Sequence, residues 1–98
     1  MVTFINVFTV EPTNQQRVVE ILTHVTSEYV CHATGFMSAR LHKSLDGRKV
    51  TMYSQWRSLA DYDAMRADPR PRSHFEEALT IASFDPGSYE VVAEFVPA

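Results

Sequence analysis

The segment that most constrains this chain is residues 35–56, G-F-M-S-A-R-L-H-K-S-L-D-G-R-K-V-T-M-Y-S-Q-W. Two runs of strand formers flank Asp46-Gly47, and an Asp-Gly pair so placed is the strongest short-range signal for a β-hairpin. The expected strands are 36–43 and 49–56. Both carry large side chains, and the second ends on the only tryptophan, Trp56. Such a hairpin supplies one wall of a small, apolar, aromatic-lined pocket.

The remaining elements follow from periodicity. Residues 2–10 are β-branched and aromatic without a breaker and read as a first strand. Alternation sets Phe4, Asn6, Phe8 and Val10 against Thr3, Ile5, Val7 and Thr9. Glu11-Pro12 ends the strand, and Thr13 with Gln16 forms a capping-box pattern that predicts a helix start. Val18, Leu22, Val25 and Tyr29 recur at helical spacing and form that helix's buried stripe. Gly35 closes the loop that follows. Ser58, with Asp61 three residues on, starts a short helix through Arg66. Asp68-Pro69-Arg70-Pro71 breaks it, because proline has no amide hydrogen and disfavours helical geometry before it. Residues 72–83 resume as a helix with Phe75 and Leu79 on one face. Asp85-Pro86-Gly87 is a turn, and 89–96 alternates as a last strand.

The order β-α-β-β-α-β, with the second helix in two pieces, predicts a ferredoxin-like α+β fold. Its four-stranded antiparallel sheet carries helices on one face. One domain spans residues 1–98. The other sheet face would carry Ile5, Val7, Met37, Leu41, Tyr53, Val92 and Val96. That set is too apolar for water, so two chains are expected to pack sheet to sheet as a homodimer.

Bulk properties exclude several classes. Charge is −3 with both signs interspersed, so no basic stripe exists for nucleic acid. Cys31 stands alone, which excludes an internal disulfide and a cysteine-based zinc site, and it reads as a partly buried helix-end thiol. No apolar run approaches a membrane span, and the start lacks a signal-peptide pattern. The simplest expected location is the cytoplasm.

Phe4 and Phe8 read as core. The period of two then places Asn6, Phe8, Ser38, Arg40, His42, Met52, Ser54 and Trp56 on the helix side of the sheet. A mixed face of this kind suits a small-molecule site, and equally a plain core with a few satisfied polar groups. The Trp56 indole is a donor, and Tyr62 and Met65 share one face of the short helix. Among His24, His32, His42 and His74, no pair has metal-ligand spacing within one element. His42 and His74 are the candidates for a general base. No catalytic triad, phosphate loop or paired-carboxylate signature is present. Arg70 and Arg72 form a basic loop that could guide an anion.

Four segments carry a resemblance to a known family. They are I-N-V-F-T-V-E-P at 5–12, Gly35-Phe36, L-H-K-S-L-D-G at 41–47 and Y-S-Q-W at 53–56. Together they resemble the antibiotic-biosynthesis monooxygenases, small cofactor-free oxygenases of polyketide tailoring. The resemblance implies a dimeric α+β barrel and oxidation of an aromatic polyketide or quinol by O₂, without metal or flavin. It places the family's site tryptophan at Trp56 and its helix tyrosine at Tyr62, both expected to be catalytic. The family's strand asparagine is Met52 here. A thioether is a weak acceptor and no donor, so Asn6 or His42 is expected to supply the missing polar contact. Phe8, Arg40, Met52, Met65 and His74 complete the expected substrate contacts.

The small haem-degrading oxygenases share this fold. Asn6 and His74 stand where they use asparagine and a haem-ligating histidine, while Met65 stands at their tryptophan. Haem is therefore the alternative cofactor. A non-catalytic dimeric binding protein is the third reading.

Overall fold

The computed structural model describes residues 1–98. It runs β1 (Val2–Val10), α1 (Gln15–Glu28), β2 (Phe36–Lys43), β3 (Lys49–Trp56), α2 (Leu59–Ala67), α3 (Pro69–Ala78), β4 (Ala82–Asp85) and β5 (Ser88–Tyr89). The antiparallel sheet has the order β2-β3-β1-β4, with β5 also on β1. This is the ferredoxin-like arrangement, in which β1 and β3 lie side by side at the centre. No helix is long and apolar enough to cross a membrane.

The core lies between the sheet and the helices. α1 buries Val18, Ile21, Leu22 and Val25, and the sheet contributes Phe4, Phe8, Val10, Val50 and Trp56. Each such side chain contributes about 1.5–3 kcal/mol when fully removed from water. The alternation expected along β1 and β3 holds: Phe4 pairs with Ser54, Asn6 with Met52 and Phe8 with Val50.

β2 departs from simple alternation. Phe36 pairs with Trp56, but the next partner of Gln55 is Ser38, so Met37 is an extra residue in a bulge. Side chains after a bulge exchange faces. Ala39 and Leu41 therefore join Ser54 and Met52 under the helices. Ser38, Arg40 and His42 turn to the outer face beside Tyr53 and Gln55. The expected helix-side position of Ser38, Arg40 and His42 is corrected, as is the outer position of Leu41.

Further expectations change. The capping box at Thr13 and Gln16 does not form: Pro12–Asn14 makes a 3-10 turn, and α1 starts at Gln15 without a side-chain cap. Gln15 instead donates to the carbonyls of Ser44 and Lys49, each at 3.0 Å, tying the helix start to the hairpin. The proline segment ends α2 but also begins α3. The Asp68 carboxylate accepts the Arg70 amide at 3.0 Å, and Pro69 sits in the first turn, where no amide donor is needed.

The largest change concerns the C-terminal third. The helix expected over 72–83 stops at Ala78, and the strand expected over 89–96 forms only at its first residue. β3 occupies one side of β1, and the other side offers unpaired backbone groups. The chain meets this edge soon after α3: β4 pairs with residues 7–10, and β5 with Thr3 and Phe4. Pro86 lies in the break between them. Residues 90–98 form no regular element and are exposed throughout, Val92 and Val96 included. Cys31 is exposed rather than partly buried, and its thiol donates to the Ser27 carbonyl at 3.2 Å.

Candidate active site

A pocket opens between the helix-side face of the sheet and the helices. β1 contributes Asn6 and Phe8, β3 contributes Met52, Ser54 and Trp56, and β2 contributes Ala39. α1 adds Leu22 and Thr26, α2 adds Tyr62, Met65 and Arg66, and α3 adds Phe75. Its enclosed part holds about 30 Å³, room for a water molecule rather than a ring. It leads into a groove of about 240 Å³ between α1 and edge strand β2. Leu22, Thr26, Ala39 and Met52 line both compartments.

The back wall is aromatic. Tyr62 stacks on Phe4 with ring centroids 3.6 Å apart, and Trp56 meets Tyr62 edge-on at 5.6 Å. Trp56 is wholly buried, and its indole N–H donates to the Ser54 hydroxyl at 3.2 Å. The indole donor is thus engaged within the protein, which leaves the Trp56 ring as a wall.

The polar centre is the Tyr62 hydroxyl. The buried Asn6 amide donates to it at 3.0 Å, and the Arg66 guanidinium donates at 3.2 Å. Asn6 is itself oriented, because its Oδ1 accepts the Gly87 amide at 3.4 Å. Two N–H donors fill the lone pairs of the phenol oxygen, so its own O–H is the capacity that remains.

α2 positions this centre. Ser58 caps its first turn by accepting the Asp61 amide at 3.2 Å. Tyr62, Met65 and Arg66 then project from one face by their three- and four-residue spacing. The Arg57 guanidinium and the Ser58 hydroxyl hold the Asp61 carboxyl below the usual carboxylate range. Gly35 approaches the same carboxylate closely, with φ +83°, and a Cβ there would collide with the Asp61 side chain.

Of the expected site residues, the pocket gathers Trp56, Tyr62, Asn6, Phe8, Met52 and Met65. Three expected residues lie elsewhere. Arg40 and His42 are exposed on the outer sheet face, turned there by the bulge. His74 lies on the α1–α3 side, with its ring 5.0 Å from His24 and 5.5 Å from Tyr29. The pocket lining contains no imidazole, so these residues do not fit the histidine-ligated haem of the alternative reading. Arg66 lines the pocket as well, outside the set expected from the sequence. Its position four residues after Tyr62 was the available signal.

The model of the family described as antibiotic biosynthesis monooxygenase matches residues 1–80. The chain belongs to that family. Over 93 residues it is 42% identical to the tetracenomycin-F1 monooxygenase of Streptomyces glaucescens, a match covering 95% of this chain and 83% of that protein. Among solved structures it is similar to the monooxygenase from ActVA-Orf6 of Streptomyces coelicolor in complex with nanaomycin D. That match has a TM-score of 0.87 and 27% identity, covering 99% of this chain and 92% of the other. SnoaB, a cofactor-independent oxygenase from Streptomyces nogalater, shares the fold with a TM-score of 0.81 at 18% identity, covering 99% and 97% of the two chains.

Proposed function

We propose that this member of the antibiotic biosynthesis monooxygenases oxidises a planar hydroxylated aromatic with O₂, without metal or flavin, as a cytoplasmic homodimer. The observation that carries the reading is the Tyr62 hydroxyl, oriented by Asn6 and Arg66 at the base of an aromatic pocket. The relation to tetracenomycin-F1 monooxygenase supports a fused-ring polyketide as the substrate class, and the nanaomycin D complex supports a planar quinone-type ligand.

The chemistry asks little covalent work of the protein. A ring CH₂ flanked by aromatic carbonyl or phenol groups loses a proton, and the electron-rich anion reduces O₂ directly. The carbon radical and superoxide join to form a C–O bond. The O–O bond then breaks as the second C–H is lost. One oxygen atom stays as the new carbonyl and the other leaves as water. The carbon gives four electrons and O₂ takes four. The chain's part is to hold the anion's oxygen at the Tyr62 O–H, press the rings against Trp56 and Phe8, and keep water out. The closed compartment is too small for a ring, so entry from the α1–β2 groove requires side chains to move. Met52 stands at the junction, and its unbranched thioether repacks readily.

The homodimer reading rests on two uncovered surfaces. Ile5, Val7 and Tyr53 lie on the sheet face that no helix covers. Val91, Val92, Phe95 and Val96 are exposed in residues 90–98. Sheet-to-sheet packing of two chains would cover both and close an α+β barrel. Light scattering is expected to give twice the 11.2 kDa of one chain; a stable monomer at micromolar concentration would remove this part.

The test of activity uses metal-free, flavin-free protein with emodin anthrone in air. The expected result is quinone formation with one O₂ consumed per quinone, slowed about ten-fold or more by Tyr62→Phe. A rate equal to the uncatalysed background, despite saturable quenching of Trp56 fluorescence by the same anthrone, would replace the enzyme with a binding protein.

A further inference from the structure

Arg66 carries an observation that the family resemblance leaves unexplained. Its side chain is half-buried against the pocket, yet it belongs to none of the chain's five ion pairs, which are Arg17–Glu20, Arg17–Glu77, Arg57–Asp61, Arg70–Asp68 and Arg72–Glu76. A guanidinium partly withdrawn from water, as here, commonly has a carboxylate partner. Here its neighbours are neutral. It donates to the Tyr62 hydroxyl at 3.2 Å, and its carbon lies 4.8 Å from the centroid of the Phe75 ring and 5.3 Å from that of Phe84. The two rings fix it by cation–π contact but leave its charge uncompensated.

The rest of the pocket sharpens the point. Its lining from β1, α1, β2, β3 and α3 contains no titratable side chain, and on α2 only Tyr62 and Arg66 itself are ionisable. Phe84 approaches from β4 and is neutral. The site therefore carries one fixed charge, and that charge is positive.

We propose that the pocket takes its aromatic ligand as the anion, with Arg66 as the counter-ion of a deprotonated phenol or enol oxygen that the Tyr62 O–H also holds. The guanidinium and the phenol converge on one oxygen, because Arg66 already bonds to the Tyr62 oxygen. This supplies from α2 the anion contact that Met52 cannot make from β3. It also explains how a site without carboxylate or imidazole can favour proton loss: the bound ligand's acidity rises because its anion is stabilised in a poorly solvated place. Arg66 is thereby a substrate-binding residue that selects acidic phenols over neutral polycycles. The inference rests on the proposed function only in taking the pocket to be an aromatic-ligand site.

The experiment uses two probes that O₂ does not turn over: alizarin, whose neutral and ionised forms differ in visible absorption, and neutral 9,10-anthraquinone. Each is titrated into the full-length protein over a pH series, with Trp56 fluorescence as the common binding signal. Bound alizarin is expected to ionise about ten-fold more readily than free alizarin, a shift of about one pKa unit. Arg66→Met and Arg66→Gln should both abolish that shift and weaken binding of ionised alizarin by a larger factor than binding of anthraquinone, and Arg66→Lys should retain part of the shift. Arg66→Gln keeps a donor for Tyr62 and serves if the apolar variant folds poorly. An unshifted alizarin spectrum, or a shift that persists in Arg66→Gln, would overturn the assignment while anthraquinone binding kept the pocket reading intact. Failure of both probes to bind would overturn both.

Discussion

Replacing Tyr62 with phenylalanine removes one oxygen atom from the pocket and tests how far Asn6 and Tyr62 act as a unit. The ring stays, and with it the 3.6 Å stack on Phe4. Arg66 loses an acceptor but is only half-buried, so water replaces it. Asn6 is different: it is 6% exposed, and its amide donates to that oxygen. Leaving a buried donor unpaired costs about 1–3 kcal/mol, so Tyr62→Phe should destabilise by about 2 kcal/mol. In a chain of this size that lowers Tm by roughly 10 °C. Asn6→Ala removes the same bond and also the acceptor of the Gly87 amide, for about 2 kcal/mol. The shared bond can be lost only once. The double variant should therefore cost about 3 kcal/mol rather than 4, a coupling of about 1 kcal/mol. Urea unfolding of the four proteins, with m unchanged among them, measures each quantity. Strict additivity, or a Tyr62→Phe protein within about 0.5 kcal/mol of the parent, would show that the amide has another partner and would refute the reasoning.

Two other substitutions and one titration test the supports of the site. Gly35 and Gly47 both have positive φ, +83° and +82°, but differ in what a Cβ would meet. At Gly47 it would meet Pro12 at ordinary contact distance, so Gly47→Ala should cost about 1 kcal/mol. At Gly35 it would strike Asp61 and disturb the start of α2, so Gly35→Ala should cost about 3 kcal/mol; equal melting temperatures would contradict this. The Asp46, Asp61 and Asp68 carboxyls sit below their ordinary value of 3.8, held there foremost by Ser44, Arg57 and Arg70 respectively. A depressed folded value contributes stability that is present above 3.8 and lost as pH falls through the lower folded values. The urea midpoint should therefore drop below about pH 4. Asp61→Asn should reduce that drop, and an unchanged acid profile would refute the assignment.

The amino-acid sequence by itself determined the element order through α2, the β2–β3 hairpin and the aromatic character of the site. Asp46-Gly47 marks the hairpin locally, and the period of two along β1 and β3 already placed Phe4, Asn6, Phe8, Met52, Ser54 and Trp56 on one face. Helical spacing set Tyr62 beside Met65 in the same way. These features were legible because each depends on neighbours within a few residues.

The tertiary structure decided what depends on distant partners. A bulge at Met37 arises from the match of β2 to β3, and no short-range pattern announces it. That one residue moved Arg40 and His42 away from the site and brought Ala39 and Leu41 to the helix side. The free edge of β1 decided that residues 82–85 pair as a strand, overriding the helix expected to run on through Ser83. Arg66 shows the same division. Its sequence position puts it on the Tyr62 face of α2, but only the packing of Phe75 and Phe84 around it, with no carboxylate within reach, makes it the uncompensated charge of the pocket.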